Sequence, residues 1–402
     1  YYRYREDIAQ MKFLGVGAYR FSISWPRIFP AGRGEVNAAG LDFYDRLVDA
    51  LLEARLAPWV TLYHWDLPQA LEDEGGWINR STVDAFVELA DVVSECLGDR
   101  VQNWITHNEP WCASVLGYAE GVQAPGRKSW REALVASHHL LLSHGRAVPV
   151  IRRNAPRSRV GITLNASCVE PASPSEADRI SARQFDGELN RWFLDPIYFG
   201  QYPSDVIAYH EREGRVPDGM PFVHPGDLEE IHTDIDFLGV NYYSRAVVRS
   251  TSIPEAENEP RTIPEPDPAG LTDMGWEVYP KGLTRTLVRL NDDYNPGSLV
   301  ITENGAAYAT GPGPDGLVQD TLRCDYVRRH MQACLAAIHA GVPLDGYFLW
   351  SLLDNFEWAF GFAKRFGIVW VDFDTQERII KASGHMYRRI IQRNSLPEDE
   401  AA

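Results

Sequence analysis

Leu299-Val300-Ile301-Thr302-Glu303-Asn304-Gly305 is a short apolar run that ends on a carboxylate and an amide. Val101-Gln102-Asn103-Trp104-Ile105-Thr106-His107-Asn108-Glu109-Pro110 ends the same way, far upstream in the chain. A charge directly after a buried strand is costly unless it is paired or used. The same punctuation recurs outward from these two stretches. Pro58–Tyr63 runs into His64, Trp65 and Asp66, Phe237–Asn241 into Tyr242 and Tyr243, and Gly346–Leu349 into Trp350, with Asp354, Asn355, Glu357 and Trp358 close behind. With Ala18–Ser24, Val101–Thr106, Val160–Leu164 and Leu299–Thr302, seven strands are expected, short and mostly apolar on both faces, as in buried parallel sheets.

Between the strands lie helical patterns. Leu41–Arg55 is apolar at 41, 44, 47, 48, 51 and 52, and Ser81–Leu97 repeats the spacing after a Ser81 cap. Alternation of strand and helix predicts a parallel sheet with helices outside it, an α/β fold. No Pro/Gly-rich linker divides the chain, so residues 1–402 are read as a single domain. Two long surface loops are expected, at Thr251–Ala269 and Tyr308–Gly316. Seven strands leave two architectures open: an open, doubly wound sheet, or a (β/α)8 barrel without its first strand, since the chain opens inside the helical pattern Arg5–Leu14. The strand-end chemistry favours the barrel, where all these ends converge on one face and active sites are built.

Composition removes other classes. Apolar residues make up 45% and charged residues 24%, which excludes wholesale disorder. Thirty-nine basic against 56 acidic residues give a net charge of −17, which repels phosphate backbones and anionic lipid, so neither nucleic acid nor membrane is an expected partner. No apolar run reaches the roughly 20 residues of a membrane helix, and no signal peptide is read at the front. The five cysteines, Cys96, Cys112, Cys168, Cys324 and Cys334, have no paired spacing, which argues against disulfides and zinc and for a reducing, cytoplasmic location. Twelve tryptophans and 18 tyrosines are more than a core of this size requires, and flat rings suit the C–H face of a sugar.

Carboxylates and amides grip pairs of hydroxyls, so the strand ends fit a neutral polyhydroxylated ligand. Two carboxyl groups brought together are what cleavage of a glycosidic bond needs, one to protonate the leaving oxygen and one to attack or to activate water. Rival motifs fail on physical grounds. Gly311-Pro312-Gly313-Pro314-Asp315-Gly316 matches a dinucleotide fingerprint by letter, but its prolines remove amide donors and no strand–turn–helix surrounds it. Gly121–Ser129 resembles a phosphate loop yet has Arg127 where the lysine must fall. His138, His139 and His144 are read as surface or structural rather than as metal ligands, and Trp104, Trp192 and Trp370 as core. No metal and no cofactor is expected.

The sequence resembles glycoside hydrolase family 1, the β-glucosidase-like enzymes, over essentially its whole length, from Tyr4-Arg5-Glu6-Asp7 to Ser383-Gly384. The motifs are Tyr19-Arg20-Phe21-Ser22-Ile23-Ser24-Trp25-Pro26-Arg27, Tyr63-His64-Trp65-Asp66-Leu67-Pro68, Thr106-His107-Asn108-Glu109-Pro110-Trp111, Ile301-Thr302-Glu303-Asn304-Gly305 and Trp350-Ser351-Leu352-Leu353-Asp354-Asn355-Phe356-Glu357-Trp358. The resemblance implies a (β/α)8 barrel and a retaining β-glucosidase that takes terminal β-D-glucosyl residues from aryl or alkyl glucosides and short cello-oligosaccharides. It implies Glu109 as acid/base and Glu303 as nucleophile, with Arg20 and Tyr243 beside Glu303. Asn108 is then expected on the sugar 2-hydroxyl, and His64, Trp65, Trp350, Glu357 and Trp358 on the glycone. Trp276, Asn241 and Phe366 are expected toward the aglycone. Family members begin with a strand carrying a sugar-binding glutamine ahead of the Y-x-R-Y-R-E-D helix. That missing strand is the one the count lacks, and about 50 further residues, one βα unit, are expected before Tyr1. Galactoside or fucoside preference, a phospho-sugar specificity (disfavoured by Glu357), a catalytically impaired sugar-binding homologue and homo-oligomerisation stay open from the residues alone.

Overall fold

The computed structural model describes residues 1–216, 219–252 and 270–396. Its packing divides the chain into two compact units, one of Tyr1–Lys12, Gly17–Asn165 and Gly187–Gly239, the other of Phe13–Val16, Ala166–Asp186 and Val240 onward. Eleven strands are described: β1 (Ala18–Ser22), β2 (Ala57–Tyr63), β3 (Asn103–Asn108), β4 (Arg159–Asn165), β5 (Cys168–Pro171), β6 (Phe237–Asn241), β7 (Arg245–Val248), β8 (Leu299–Asn304), β9 (Leu344–Leu349), β10 (Val369–Val371) and β11 (Arg378–Ile380). All seven strands expected from the sequence are among them.

In the first unit β1, β2, β3 and β4 pair in that order, all parallel. The amide of Asp236, just before β6, donates to the Val160 carbonyl of β4 at 2.8 Å. β2 is buried after its first residue, β3 is largely so, and neither can be told from a core segment by alternation. β1 departs from the expectation of burial on both faces, being only half-buried. Among the described residues it is paired along one side only, with β2. The helix over Ser81–Leu97 forms as expected, but Ser81 is its first residue and not its cap. Asn79 Oδ1 instead accepts from the Ser81 amide at 3.1 Å and from its hydroxyl at 3.0 Å. The helix Trp130–Asn154 is capped by Ser129, whose Oγ accepts from the Glu132 amide.

In the second unit β8 pairs with β9 in parallel, and the amide of Tyr242, just after β6, donates to the Glu303 carbonyl of β8 at 3.0 Å. β8 is buried throughout, while β9, paired along one side among the described residues, is half-buried. A core of Leu14, Val278, Tyr326, Val327, Ile368 and Ile390 joins the helices Thr321–His339 and Ala382–Arg393 to the ends of these strands. Two small sheets flank it, β5 with β7 in parallel and β10 with β11 antiparallel. The loop expected at Tyr308–Gly316 carries no helix or strand. Of the loop expected at Thr251–Ala269, residues 253–269 lie outside the described residues.

Candidate active site

Within the first unit, the ends of β1, β2 and β3 bring Arg20, His64, Trp65, Asn108 and Glu109 together. Asn108, fully buried, accepts from Arg20 Nη2 at 2.6 Å and lies 3.1 Å from His64 Nε2 through its Nδ2. Burial, reinforced by the Arg20 charge, pushes His64 well below the usual histidine range. A neutral imidazole can accept from the Asn108 amide, which sets the Nδ1–H tautomer. Trp65 Nε1 donates to the Asn108 carbonyl at 2.8 Å, and Arg20 Nε reaches Thr61 Oγ1 at 3.2 Å. Glu109 is 5% exposed, and its amide donates to the Thr163 carbonyl of β4 at 2.9 Å. Its Oε2 accepts from the Cys112 thiol at 3.0 Å.

Sequence reasoning passed over Cys112, although three residues along a helical turn is a side-chain neighbour. The turn leads into a π-helix over Cys112–Ala119, a geometry that recurs at functional sites. Asp66 lies beyond the end of β2 with its carboxyl buried. Burial pushes its carboxyl up to about 6, against hydrogen bonds from its own amide, the Ser24 hydroxyl and the Trp25 amide.

Within the second unit, Glu303, next to last in β8, is 4% exposed and accepts from the Tyr243 hydroxyl at 2.7 Å. Asn304, the next residue, donates to the Tyr242 carbonyl at 2.7 Å and accepts from the Tyr347 hydroxyl at 2.7 Å, so both residues of the Glu303–Asn304 pair are held. Gly305 follows because nothing larger fits: a Cβ there would lie 1.7 Å from the Trp350 carbonyl oxygen. Asn241 accepts from Thr302 Oγ1 at 2.7 Å, deep in the strands. Trp276, Tyr243 and Phe366 form an aromatic group, with ring centroids 5.3 Å apart for Tyr243–Trp276, 6.0 Å for Tyr243–Phe366 and 6.3 Å for Trp276–Phe366. Phe366 is 1% exposed, so it backs the other two rings rather than presenting a face of its own.

After β9, the segment from Trp350 carries Glu357 and Trp358. Burial first, then the nearby Glu303 charge, push the Glu357 carboxyl up to about 7, partly opposed by hydrogen bonds from Asn355 and Trp350. The segment is pinned at Asp354, which is buried and accepts from Lys381 Nζ at 2.8 Å, Arg365 Nη1 at 2.7 Å and the Gly367 amide at 3.0 Å. Burial pushes Lys381 down to about 8. Eight non-glycine residues among those described have a left-handed φ, and three are candidate site residues: Trp65 at 77°, Glu109 at 47° and Trp358 at 43°. Such backbone is sterically disfavoured and concentrates where function requires it.

The three histidines of the long helix are structural, as one of the two readings had it, but they are buried and not on the surface. His138 Nε2 lies 2.9 Å from Asp227 Oδ2, His139 Nδ1 2.8 Å from the Trp77 carbonyl and His144 Nδ1 2.7 Å from Thr106 Oγ1. Among the described residues no group of His, Cys, Asp or Glu has the arrangement of a metal site. Trp104 and Trp192 are core, whereas Trp370 is half-buried.

A parallel α/β scaffold with buried glutamates at strand ends has the parts that glycoside hydrolases use as a class. Within that class the chain belongs to glycosyl hydrolase family 1, whose family model matches residues 1–396. Beta-glucosidase A of Thermotoga maritima is 46% identical over 400 residues, covering 99% of this chain and 87% of that protein. Beta-glucosidase A of Acetivibrio thermocellus is 47% identical over 398 residues, covering 98% of this chain and 87% of that one. The bifunctional beta-D-glucosidase/beta-D-fucosidase of Bifidobacterium breve is 43% identical over 413 residues, covering 98% and 88%. A solved structure of the Thermotoga maritima family 1 β-glucosidase matches with a TM-score of 0.91 at 45% identity, covering 98% of this chain and 87% of that one. The same enzyme has been solved with deoxynojirimycin. The likeness establishes the fold class expected from the strand pattern, the (β/α)8 barrel.

Proposed function

We propose that this chain is a retaining β-glucosidase in which Glu303 is the nucleophile and Glu109 the acid/base. The observation that carries the reading is Glu303 itself, buried at a strand end with the Tyr243 hydroxyl 2.7 Å from its Oε2. A phenol donating to Oε2 orients the carboxylate for attack on an anomeric carbon. In the first step the Glu109 carboxyl gives its proton to the glycosidic oxygen as Glu303 forms an ester with C1 and the aglycone leaves. In the second, Glu109, now a carboxylate, takes a proton from water as that water displaces Glu303 from C1, and configuration is retained. Arg20 serves the nucleophile with its positive charge, Asn108 takes the sugar 2-hydroxyl, and His64, Trp65, Trp350, Glu357 and Trp358 hold the glycone. Trp276 and Asn241 lie toward the aglycone, with Phe366 behind.

The substrates are aryl and alkyl β-glucosides and short β-linked oligosaccharides of the kind cellulose breakdown releases. The five cysteines, all unbridged, support a reducing, cytoplasmic setting. No helix among the described residues is long and apolar enough to cross a membrane. A fucoside side activity is a second reading, favoured by the bifunctional Bifidobacterium breve relative. The test is Glu303→Gly assayed on an aryl β-glucoside. Hydrolysis is lost, and added azide restores turnover to the α-glucosyl azide. An active Glu303→Gly variant without azide would overturn the assignment.

A further inference from the structure

Trp276 sits on a tight hairpin in which Leu271 and Glu277 form an antiparallel bridge. The Thr272 amide donates to the Trp276 carbonyl at 2.8 Å, and the Asp273 amide to the Ala307 carbonyl at 3.0 Å. The next residue, Glu277, turns into the protein, and its carboxylate meets Arg245 in a two-pronged pair, with Nε to Oε2 at 2.7 Å and Nη2 to Oε1 at 3.0 Å. The side chains of Arg245 and Glu277 are 1% and 8% exposed. The guanidinium also lies over the Tyr279 ring at 3.8 Å and bonds Glu170 through Nη1. Ser244 Oγ donates to the Glu277 carbonyl at 2.8 Å. Arg245 stands on β7, opposite Cys168 of β5, and two residues after Tyr243, the donor to Glu303.

A planar fork meeting a carboxylate fixes orientation as well as distance, which an ammonium cannot do. We infer that the Arg245–Glu277 pair is a positioning device that holds the Trp276 ring against Tyr243 and so sets the affinity for aromatic aglycones. The inference rests on the proposed β-glucosidase reading. Neither residue touches substrate; both act through Trp276. Arg245 remains anchored by Glu170 and the β5–β7 pairing when Glu277 loses its charge, so Tyr243 and the nucleophile keep their places.

The test is Glu277→Gln, which keeps the volume and removes the charged fork, assayed on an aryl β-glucoside and on methyl β-glucoside. We expect KM for the aryl substrate to rise by roughly fivefold to tenfold, within the range of couplings between contacting residues, and methyl glucoside turnover to change by less than about twofold. In a Trp276→Ala background the same substitution should add nothing further to the aryl KM. Equal losses on both substrates, or additive losses in the double variant, would overturn the inference. Should Glu277→Gln fail to fold, Arg245→Lys keeps the buried charge but not the fork and must show the same aryl-selective rise. A wild-type protein that turns over neither glucoside would sink the β-glucosidase reading itself, a result distinct from all of these.

Discussion

The two units support their glutamates by different means. In the first unit Glu109 accepts from the Cys112 thiol, and its neighbour Asn108 is held by a neutral imidazole, an indole and the Arg20 guanidinium, which also bonds Thr61. In the second unit Glu303 has a phenol, Glu357 feels the Glu303 charge, and the segment bearing Glu357 is pinned by the buried Asp354–Lys381 pair, joined by the half-buried Arg365. In the proposed mechanism Glu109 passes through both charge states in every turnover. The proposed nucleophile, Glu303, has to attack as an anion from one fixed position, and a rigid setting serves that. The contrast is between a flexible electrostatic setting and a fixed one.

The largest effect that can break this comparison is on leaving groups. Glu109→Ala should slow glucosides with poor leaving groups by about 10²–10⁴, the usual worth of general acid catalysis, and spare the first step for nitrophenyl-type substrates. Kinetics across a series of aryl glucosides would read this as a steepened dependence on leaving-group pKa. Equal loss on good and poor leaving groups would assign Glu109 to another task.

The fixed setting should cost stability when it is cut. Lys381→Met leaves the Asp354 carboxylate buried with one cation fewer, and breaking buried pairs of this kind costs about 3–5 kcal/mol. Urea unfolding of the variant should show the drop, where Cys112→Ala in the other unit should lose far less. The thiol variant should instead show its effect in catalysis. Losing one weak hydrogen bond of about 0.5–1.5 kcal/mol to Glu109 predicts a change of roughly twofold to tenfold, larger on poor leaving groups. An effect equal on all leaving groups would mean that Cys112 only packs.

Much of this contrast was legible in the sequence, and what was not has a common cause. The strands and their polar ends are local: Glu109, Glu303, His64, Trp65 and Tyr243 announce themselves by following apolar runs. Gly305 was legible as a motif letter, but its reason, the approach of the Trp350 carbonyl from β9's far end, is a tertiary fact. The same holds for Asp354 with Lys381 and for Glu277 with Arg245, pairs whose members stand on separate elements and have ordinary sequence neighbours. The Ser81 cap failed because Asn79, two residues earlier, offers the better acceptor. Half-burial of β1 and β9 was invisible because both read as apolar as the strands inside the sheet.

The smallest predicted effect sharpens the comparison most, because it runs against activity. Burial and the Glu303 charge raise the Glu357 carboxyl from its ordinary 4.5 to about 7. A carboxyl raised by folding stabilises the fold while protonated: that contribution is fully present below 4.5 and is lost as pH rises through about 7. At pH 8 the native protein therefore holds a carboxylate where its own surroundings oppose one. Glu357→Gln keeps the shape, removes the charge and should melt roughly 2–4 °C higher than wild type at pH 8. At pH 4.5, where the wild-type group is itself protonated in the fold, the gap should close. Catalysis should move the other way, since charge-assisted hydrogen bonds to the sugar, worth about 1.5–3 kcal/mol each, are weakened, and kcat/KM for glucosides should fall by at least about tenfold. Melting curves of the two proteins at both pH values check the sign. A gap that is the same at both would mean that Glu357 carries no charge penalty, and that the second unit holds its carboxylates as loosely as the first.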